Sequence, residues 1–273
     1  MDEEQQSISV ALGVTTDFDV AQEVRRRIQF LSDYLRQSSC RTFVLGISGG
    51  VDSLAAGLLT QAAVSELRAD GHDAQFIAVR LPYGVQADEP DAQKSLGVIR
   101  PDRVITIDIK PAADAMLDAV TVEGDDLVEP ARKQFHLGNI KARQRMIAQY
   151  ALAGATGGLV IGTDQAAEAL MGFFTKFGDG AADILPLAGL TKRRVRAIAE
   201  FMGAPVELVY KVPTADLESD APLRPDEEVY GFTYEGIDDF LEGMAVADFV
   251  RQRIVETYRA SGHKRALPVA PIG

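Results

Sequence analysis

With a single cysteine, Cys40, the chain can form no internal disulfide, and a reducing, cytoplasmic setting is expected. It lacks any stretch approaching the roughly 20 consecutive apolar residues that cross a bilayer, although 47% of it is hydrophobic. A basic excess is missing too: 28 lysines and arginines face 40 acidic residues, for a net charge of −12. Neutralising a nucleic-acid backbone needs a basic surface, so neither nucleic acid nor a membrane is an expected partner. The opening Met1-Asp2-Glu3-Glu4-Gln5-Gln6 is acidic and polar, unlike a secretory leader. No repeat, low-complexity tract or linker interrupts the 273 residues, and one domain over 1–273 is expected.

Apolar periodicity supplies the fold class. Continuous apolar runs predict strands at Thr42–Ile47, Gln75–Leu81, Arg103–Ile109 and Gly158–Gly162, the second and third stopped by Pro82 and Pro111. Helical spacing predicts helices over about Asp19–Arg36, Val51–Leu67, Glu89–Ile99, Pro111–Val120, Gly138–Ala153, Tyr234–Glu242 and Ala245–Ser261. A further helix, Thr191–Met202, opens with Thr191 in the N-cap position and stops at Gly203-Ala204-Pro205. Strands alternating with helices imply an α/β fold: a doubly wound, Rossmann-like parallel sheet with helices on both faces. Two stretches have no clear period, Met171–Gly189 and Val212–Glu228, and an acidic turn contains Gly124-Asp125-Asp126. Irregular segments this long are usually functional or mobile.

Chemistry is concentrated where the first strand ends, in Gly46-Ile47-Ser48-Gly49-Gly50-Val51-Asp52-Ser53. Two glycines let the backbone curl so that several N–H groups converge, two serines add donors, and the following helix points its positive end at the same place. This is a phosphate-binding design. No lysine follows as a Walker A loop would require. Asp52 would repel a bare anion, so a cation must lie between them, and magnesium suits carboxylate plus phosphate oxygens. If the first and fourth strands are neighbours where the strand order reverses, Thr163 and Glu168 face this loop and Glu168 offers a second carboxylate. Read alone, Glu168 is equally a surface helix residue. The basic runs Lys141–Arg145, Lys192–Arg196 and His263–Arg265 are either solvated faces or local sites for a small anion.

The glycine-serine loop resembles the pyrophosphate loop of the N-type ATP pyrophosphatases, which split ATP into AMP and pyrophosphate. A wider set is similar to the ammonia-dependent NAD synthetases, in that family's order: Phe76–Pro82, Gly138–Arg143, Gly162-Thr163-Asp164, Gly172–Gly180, Leu190–Arg193, Pro213–Leu217 and His263-Lys264-Arg265. The resemblance implies that the carboxylate of deamido-NAD attacks the α-phosphorus of ATP, and that ammonia then displaces AMP from the acyl-adenylate. It implies ATP contacts at Gly46, Ile47, Ser48, Gly49, Gly50, Val51, Asp52, Ser53, Thr163, Lys192 and Thr214, with Arg80 beside the adenosine, and Mg2+ held by Asp52 and Glu168. Deamido-NAD would meet Asn139, Arg143, Phe173, Lys176, Asp183, His263 and Lys264. Asp52, Lys176 and Asp179 are the candidate catalytic residues, Asp179 for the proton of the incoming ammonia. A homodimer is implied, its dinucleotide site completed across the subunit contact, with the apolar side of Gly138–Ala153 as partner surface. The synthetase pattern fills the sequence, so ammonia rather than glutamine is the expected nitrogen donor.

Several of these residues keep ordinary readings: Phe173 as core, Arg143 and Lys192 as surface charges, His263-Lys264 as a pair in a loop, Asp179-Gly180 as a turn. The competing functions are another N-type ATP pyrophosphatase acting on a nucleotide and a non-catalytic nucleotide-binding protein.

Overall fold

Burial on both sides explains why four apolar runs become parallel strands. In the computed structural model, which describes residues 2–85, 88–124, 127–215 and 224–271, β1 (Thr42–Gly46), β2 (Gln75–Arg80), β3 (Arg103–Thr106) and β4 (Gly158–Val160) form one sheet in the order β3-β2-β1-β4. Phe43, Val44, Leu45, Phe76, Ile77 and Val79 are all buried, as a sheet covered on two faces demands. Register sets Phe43 beside Phe76 and Leu159, and Val44 beside Ile77 and Val160. The chain leaves β1 toward β2 and β3, then returns to β4 on its other side. Strand order therefore reverses between β1 and β4, where open α/β sheets bind their ligands.

Two helices, α1 (Glu3–Ala11) and α2 (Val20–Ser38), precede β1; α3 (Val51–Ala69) leads to β2, α4 (Glu89–Ile99) to β3, and α5 (Lys110–Glu123) and α6 (Lys133–Thr156) to β4. Beyond β4 come α7 (Ala166–Met171), α8 (Lys192–Phe201), α9 (Val206–Val209), the antiparallel pair β5 (Thr214–Ala215) and β6 (Arg224–Pro225), then α10 (Asp226–Tyr230), α11 (Tyr234–Leu241), α12 (Asp248–Ala260) and α13 (Gly262–Arg265). One sheet face is covered by α2, α3, α8 and α9, whose Leu31, Leu54, Ile198 and Leu208 share a core with Phe43, Leu45 and Phe76. Ala153 of α6 meets Val44, Ile77 and Val160 on the other face. Each buried leucine or isoleucine contributes roughly 1.5–3 kcal/mol, so the sheet cores dominate the stabilisation. A separate core of Ile8, Leu170, Tyr234, Ile237, Phe240 and Ile254 binds α7 to α1, α11 and α12 beside the β1–β4 crevice.

The doubly wound α/β architecture is as expected, with local differences. β3 stops at Thr106, short of Ile109: Ile107 N–H still donates to Arg80 O and Ile109 N–H to Pro82 O, both at 2.9 Å, but Pro82 has no N–H to return to the ladder. β4 stops at Val160, where the returning chain docks: Ile161 bridges Ile184, and Val160 N–H donates to Asp183 Oδ2 at 2.7 Å. α6 begins at Lys133 rather than Gly138, and its extra turn carries Leu137 into contact with Ala113 and Leu117. His263 and Lys264 lie in the helical turn α13, not in a loop. The expected acidic pair Asp125-Asp126, and residues 216–223 of the irregular stretch Val212–Glu228, lie outside the described residues.

Candidate active site

The loop between β1 and α3 is shaped by its own serines. Gly50 N–H donates to Ser48 Oγ at 3.3 Å, the Ser48 and Ser53 hydroxyls lie 3.2 Å apart, and Ser53 Oγ donates to Gly50 O at 3.0 Å. Gly49 has φ +88, and a Cβ there would stand 2.8 Å from Ala92 N, so both backbone conformation and the approach of α4 require glycine. Neighbouring elements clamp the entry to the loop. Gly46 N–H donates to Gln149 Oε1 of α6 at 2.8 Å, while buried Arg80 donates to Ile47 O and to Glu89 at 2.6 Å. Arg80 thus ties the end of β1 to the first turn of α4. No side chain caps α3, whose N-cap is Gly50, so its first N–H groups remain open to an anion.

The other helix aimed here is closed. Thr191 stands in the N-cap position of α8 but its side chain does not cap; its hydroxyl donates to Glu242 at 2.7 Å. Asp238 of α11 takes the Lys192 and Arg193 N–H groups instead, at 3.0 and 2.8 Å. This corrects the reading of Thr191 as the side-chain cap of the helix, and leaves the α8 N-terminus closed to a phosphate. An aspartate from another helix has occupied it, and the Lys192 side chain acts alone.

Lys192 is only 1% exposed. Its Nζ donates to Asp52 Oδ2 at 2.6 Å, lies 3.9 Å from Glu168 Oε1, and sits 4.9 Å from the centre of the Tyr234 ring. Residues 52 and 168 therefore face one another across a single ammonium. Gln165 positions α7, accepting from the N–H groups of Ala167 (2.6 Å) and Glu168 (3.4 Å). Burial, then the adjacent Asp52 charge, push the Glu168 carboxyl well above its ordinary value. Burial alone would lower Lys192, but Asp52 and Glu168 outweigh it and leave it raised. Asp52 Oδ1 is buried without a hydrogen-bond partner. Among the described residues no three acidic, histidine or cysteine side chains converge to hold a metal ion by themselves. That suits magnesium, which binds through one or two carboxylates and otherwise keeps water or phosphate oxygens. The orphaned Asp52 oxygen and the Glu168 carboxylate are hard donors of the required kind.

These groups line a cavity of about 430 Å³ together with Thr163, Asn139, Phe173, Asp179 and Lys264. Asn139 accepts from Thr175 Oγ1 at 3.0 Å, and Phe173 packs edge-on against Tyr230 with ring centres 5.0 Å apart. Asp179 accepts from Thr175 N–H at 2.9 Å, and burial raises its carboxyl despite that bond. Lys264 donates to Gly172 O and Phe174 O, at 2.8 and 2.9 Å, pinning the cavity wall. Arg143 and Lys176 stand outside the lining, with His263, in a chain of contacts: Arg143 donates to Lys176 O at 3.2 Å and Lys176 Nζ to His263 O at 2.5 Å. Asp183 is not brought into the cavity. It holds β4 and accepts from Tyr150 OH at 3.4 Å on the α6 side. The side chain of Thr214 lies outside what the structure describes.

A family model described as NAD synthase matches residues 23–268, most of the sequence. The chain belongs to the NAD synthase family. It is 60% identical over 264 residues to the NH(3)-dependent NAD(+) synthetase of Burkholderia lata, covering 97% of this chain and 94% of that protein. The crystal structure of NAD+ synthetase from Burkholderia pseudomallei matches with a TM-score of 0.84 at 57% identity, over 97% of this chain and 96% of the other. A structure of NMN synthetase from Francisella tularensis matches with a TM-score of 0.80 at 35% identity, over 93% and 99%.

Within this NAD synthase family site, several supporting residues carried no signal in the sequence. Gln149 is an unremarked polar residue on α6, Asp238 lies 46 residues from the backbone it caps, and Asp226 stands in an acidic run. Asp164 follows Thr163 in the Gly162-Thr163-Asp164 motif and was readable only as part of it. Burial, followed by the charges of Asp179 and Asp52, pushes its carboxyl up to about 7.

Proposed function

We propose that the chain amidates deamido-NAD with ammonia, converting ATP to AMP and pyrophosphate and releasing NAD. The observation that carries this reading is the buried Asp52–Lys192–Glu168 contact beneath the uncapped start of α3, in a cavity also lined by Asn139, Phe173 and Asp179. Sixty per cent identity to a relative of that name supports the substrate assignment.

Two anions must meet in the first step. The open N–H groups of α3, Ser48 and Ser53 hold the triphosphate tail, and Lys192 adds charge where water is excluded. A nicotinate carboxylate oxygen bonds to the α-phosphorus as the bond to the pyrophosphate bridge breaks. When bound by Asp52 and Glu168, Mg2+ supplies Lewis-acid neutralisation of phosphate charge. Ammonia nitrogen then bonds to the acyl carbon, AMP leaves with its oxygen, and one nitrogen proton must be lost. Asp179 and Asp164 face the cavity with raised carboxyls, in place to take it. Arg143, Lys176 and His263 grip the dinucleotide beyond the cavity rim, and Asp183 with Tyr150 marks the α6 side on which a second copy would complete the site. Phe135 and Ile147 of α6, about half exposed, give that homodimer contact an apolar surface. The enzyme acts as a single synthetase domain in the cytoplasm, consistent with one free cysteine and with no described helix long and apolar enough to cross a membrane.

The test is formation of AMP and NAD from ATP, deamido-NAD, ammonium and Mg2+, with Asp52→Ala as control and glutamine in place of ammonium as a second arm. The shorter nicotinate mononucleotide belongs in the same assay, because a relative at 35% identity is named NMN synthetase. Faster turnover of the mononucleotide would replace deamido-NAD as the substrate; no AMP from either would remove the reading.

A further inference from the structure

Asp226, the first residue of α10, has no part in the reaction as described above, yet its placement is costly for a residue without a role. It is 6% exposed. Its N–H donates to Pro213 O at 3.1 Å, holding the backbone, and its Oδ2 accepts from Tyr234 OH at 2.9 Å, holding the carboxyl group. Its Oδ1 is buried with no hydrogen-bond partner, and the residue lines the same cavity as Asp52 and Glu168. A buried charged acceptor left unpaired costs upwards of about 1–3 kcal/mol. Holding Tyr234 would need one neutral acceptor, which an asparagine provides. It does not explain the second oxygen.

The surrounding charge supplies the explanation. Lys192 feels three carboxylates, those of Asp52, Glu168 and Asp226, and its ammonium is committed to Asp52 at 2.6 Å. One ammonium serves three buried acids, and two of them, Asp52 and Asp226, each present an unpartnered oxygen. Among the described residues no three acidic side chains converge to ligate one ion directly, but a small divalent cation retains a water shell that a third cavity-lining acid can reach.

We propose that Asp226 is the third acidic member of the cation site, accepting hydrogen bonds from the water shell of an ion held by Asp52 and Glu168, and that this set binds a divalent cation before any nucleotide arrives. The inference rests on the metal assignment in the proposed function but does not depend on turnover. Outer-shell partners of metal sites typically change affinity by about 10–100-fold when removed, and a loss of at least tenfold is expected here.

The experiment titrates nucleotide-free protein with Mn2+, following free Mn2+ by electron paramagnetic resonance. The wild-type chain should bind Mn2+ without ATP, Asp226→Asn should bind at least tenfold more weakly, and Asp52→Ala should lose the site. In EDTA, Asp226→Asn should melt no lower than wild type, because it removes a buried carboxyl oxygen that has no partner while keeping the acceptor for Tyr234. A purely structural Asp226 would give the opposite pair, a lower melting temperature and unchanged Mn2+ affinity. Should the asparagine variant not fold, Asp226→Ser replaces it. Failure of the wild-type chain to bind Mn2+ without nucleotide, or variant affinity within twofold of wild type, overturns the proposal. Mn2+ binding by a chain that makes no NAD would instead sink the functional reading alone.

Discussion

Lys192→Met tests the electrostatic centre of the site with least disturbance to its shape. Methionine keeps much of the buried lysine stem, but removes the ammonium that lies 4.9 Å from the centre of the Tyr234 ring, 2.6 Å from Asp52 Oδ2 and 3.9 Å from Glu168 Oε1. Breaking a buried ion pair from one side leaves the other charge uncompensated and costs about 3–5 kcal/mol. In a chain of this size that lowers the melting temperature by on the order of 10 °C. The loss belongs to the metal-free state, because Asp52 and Glu168, relieved of their ammonium, attract a cation more strongly. Adding Mg2+ should therefore recover more stability in the variant than in wild type. Catalysis responds separately. Removing one preorganised positive group from a transferring phosphoryl costs about 2.7–4 kcal/mol, which is roughly 100–1000-fold in rate. Calorimetry in EDTA and in Mg2+, alongside kcat/KM for ATP, separates the two effects. An unchanged EDTA melting temperature with kcat/KM within threefold of wild type would refute the reasoning at its root.

Gly49→Ala forces an alanine to φ +88 with its Cβ 2.8 Å from Ala92 N; strain of about 1–3 kcal/mol is expected, and because it falls on the phosphate loop, KM for ATP should rise by more than the stability loss accounts for. Asp179→Asn should leave ATP- and deamido-NAD-dependent pyrophosphate release intact while slowing amide formation, and an unchanged kcat at every ammonium concentration would remove Asp179 from proton handling. Asp164 holds its proton to about 7 when folded against an ordinary value of 3.8, so its contribution favours folding below 3.8 and is lost as pH climbs through about 7. Urea unfolding of ligand-free protein should show Asp164→Asn flattening the decline between pH 4 and 7, and parallel wild-type and variant profiles would count against that shift.

Different parts of the molecule left different traces in the sequence, for physical reasons. Burial on two faces writes an uninterrupted apolar run, so β1, β2 and β4 could be placed, and with them the reversal that brings Asp52 and Glu168 to one ammonium. The helices α7, α9 and α10 span six, four and five residues, too few to display a period. α1 is held by contacts that no local pattern encodes, chiefly Gln5 Nε2 donating to Phe240 O at 2.8 Å and Met244 O at 3.0 Å.

The Thr191 cap shows where local inference breaks down. Spacing names the nearest suitable side chain, but the N–H groups of a buried helix start go to whichever acceptor the tertiary fold presents, and here Asp238 outcompetes a threonine whose hydroxyl is engaged by Glu242. Asp226 shows the same limit in the opposite sense. Pro225-Asp226-Glu227-Glu228 falls in a stretch without a clear period, yet it starts a helix on which Glu228 is exposed, while Glu227 accepts from Tyr234 N–H at 2.8 Å and Asp226 turns inward. Only the packing of α10 against α11 separates them, because a helix turns 100° per residue and adjacent side chains of one charge therefore meet different environments. Charge runs in a sequence thus conceal functional acids wherever a short helix lies across the edge of a site.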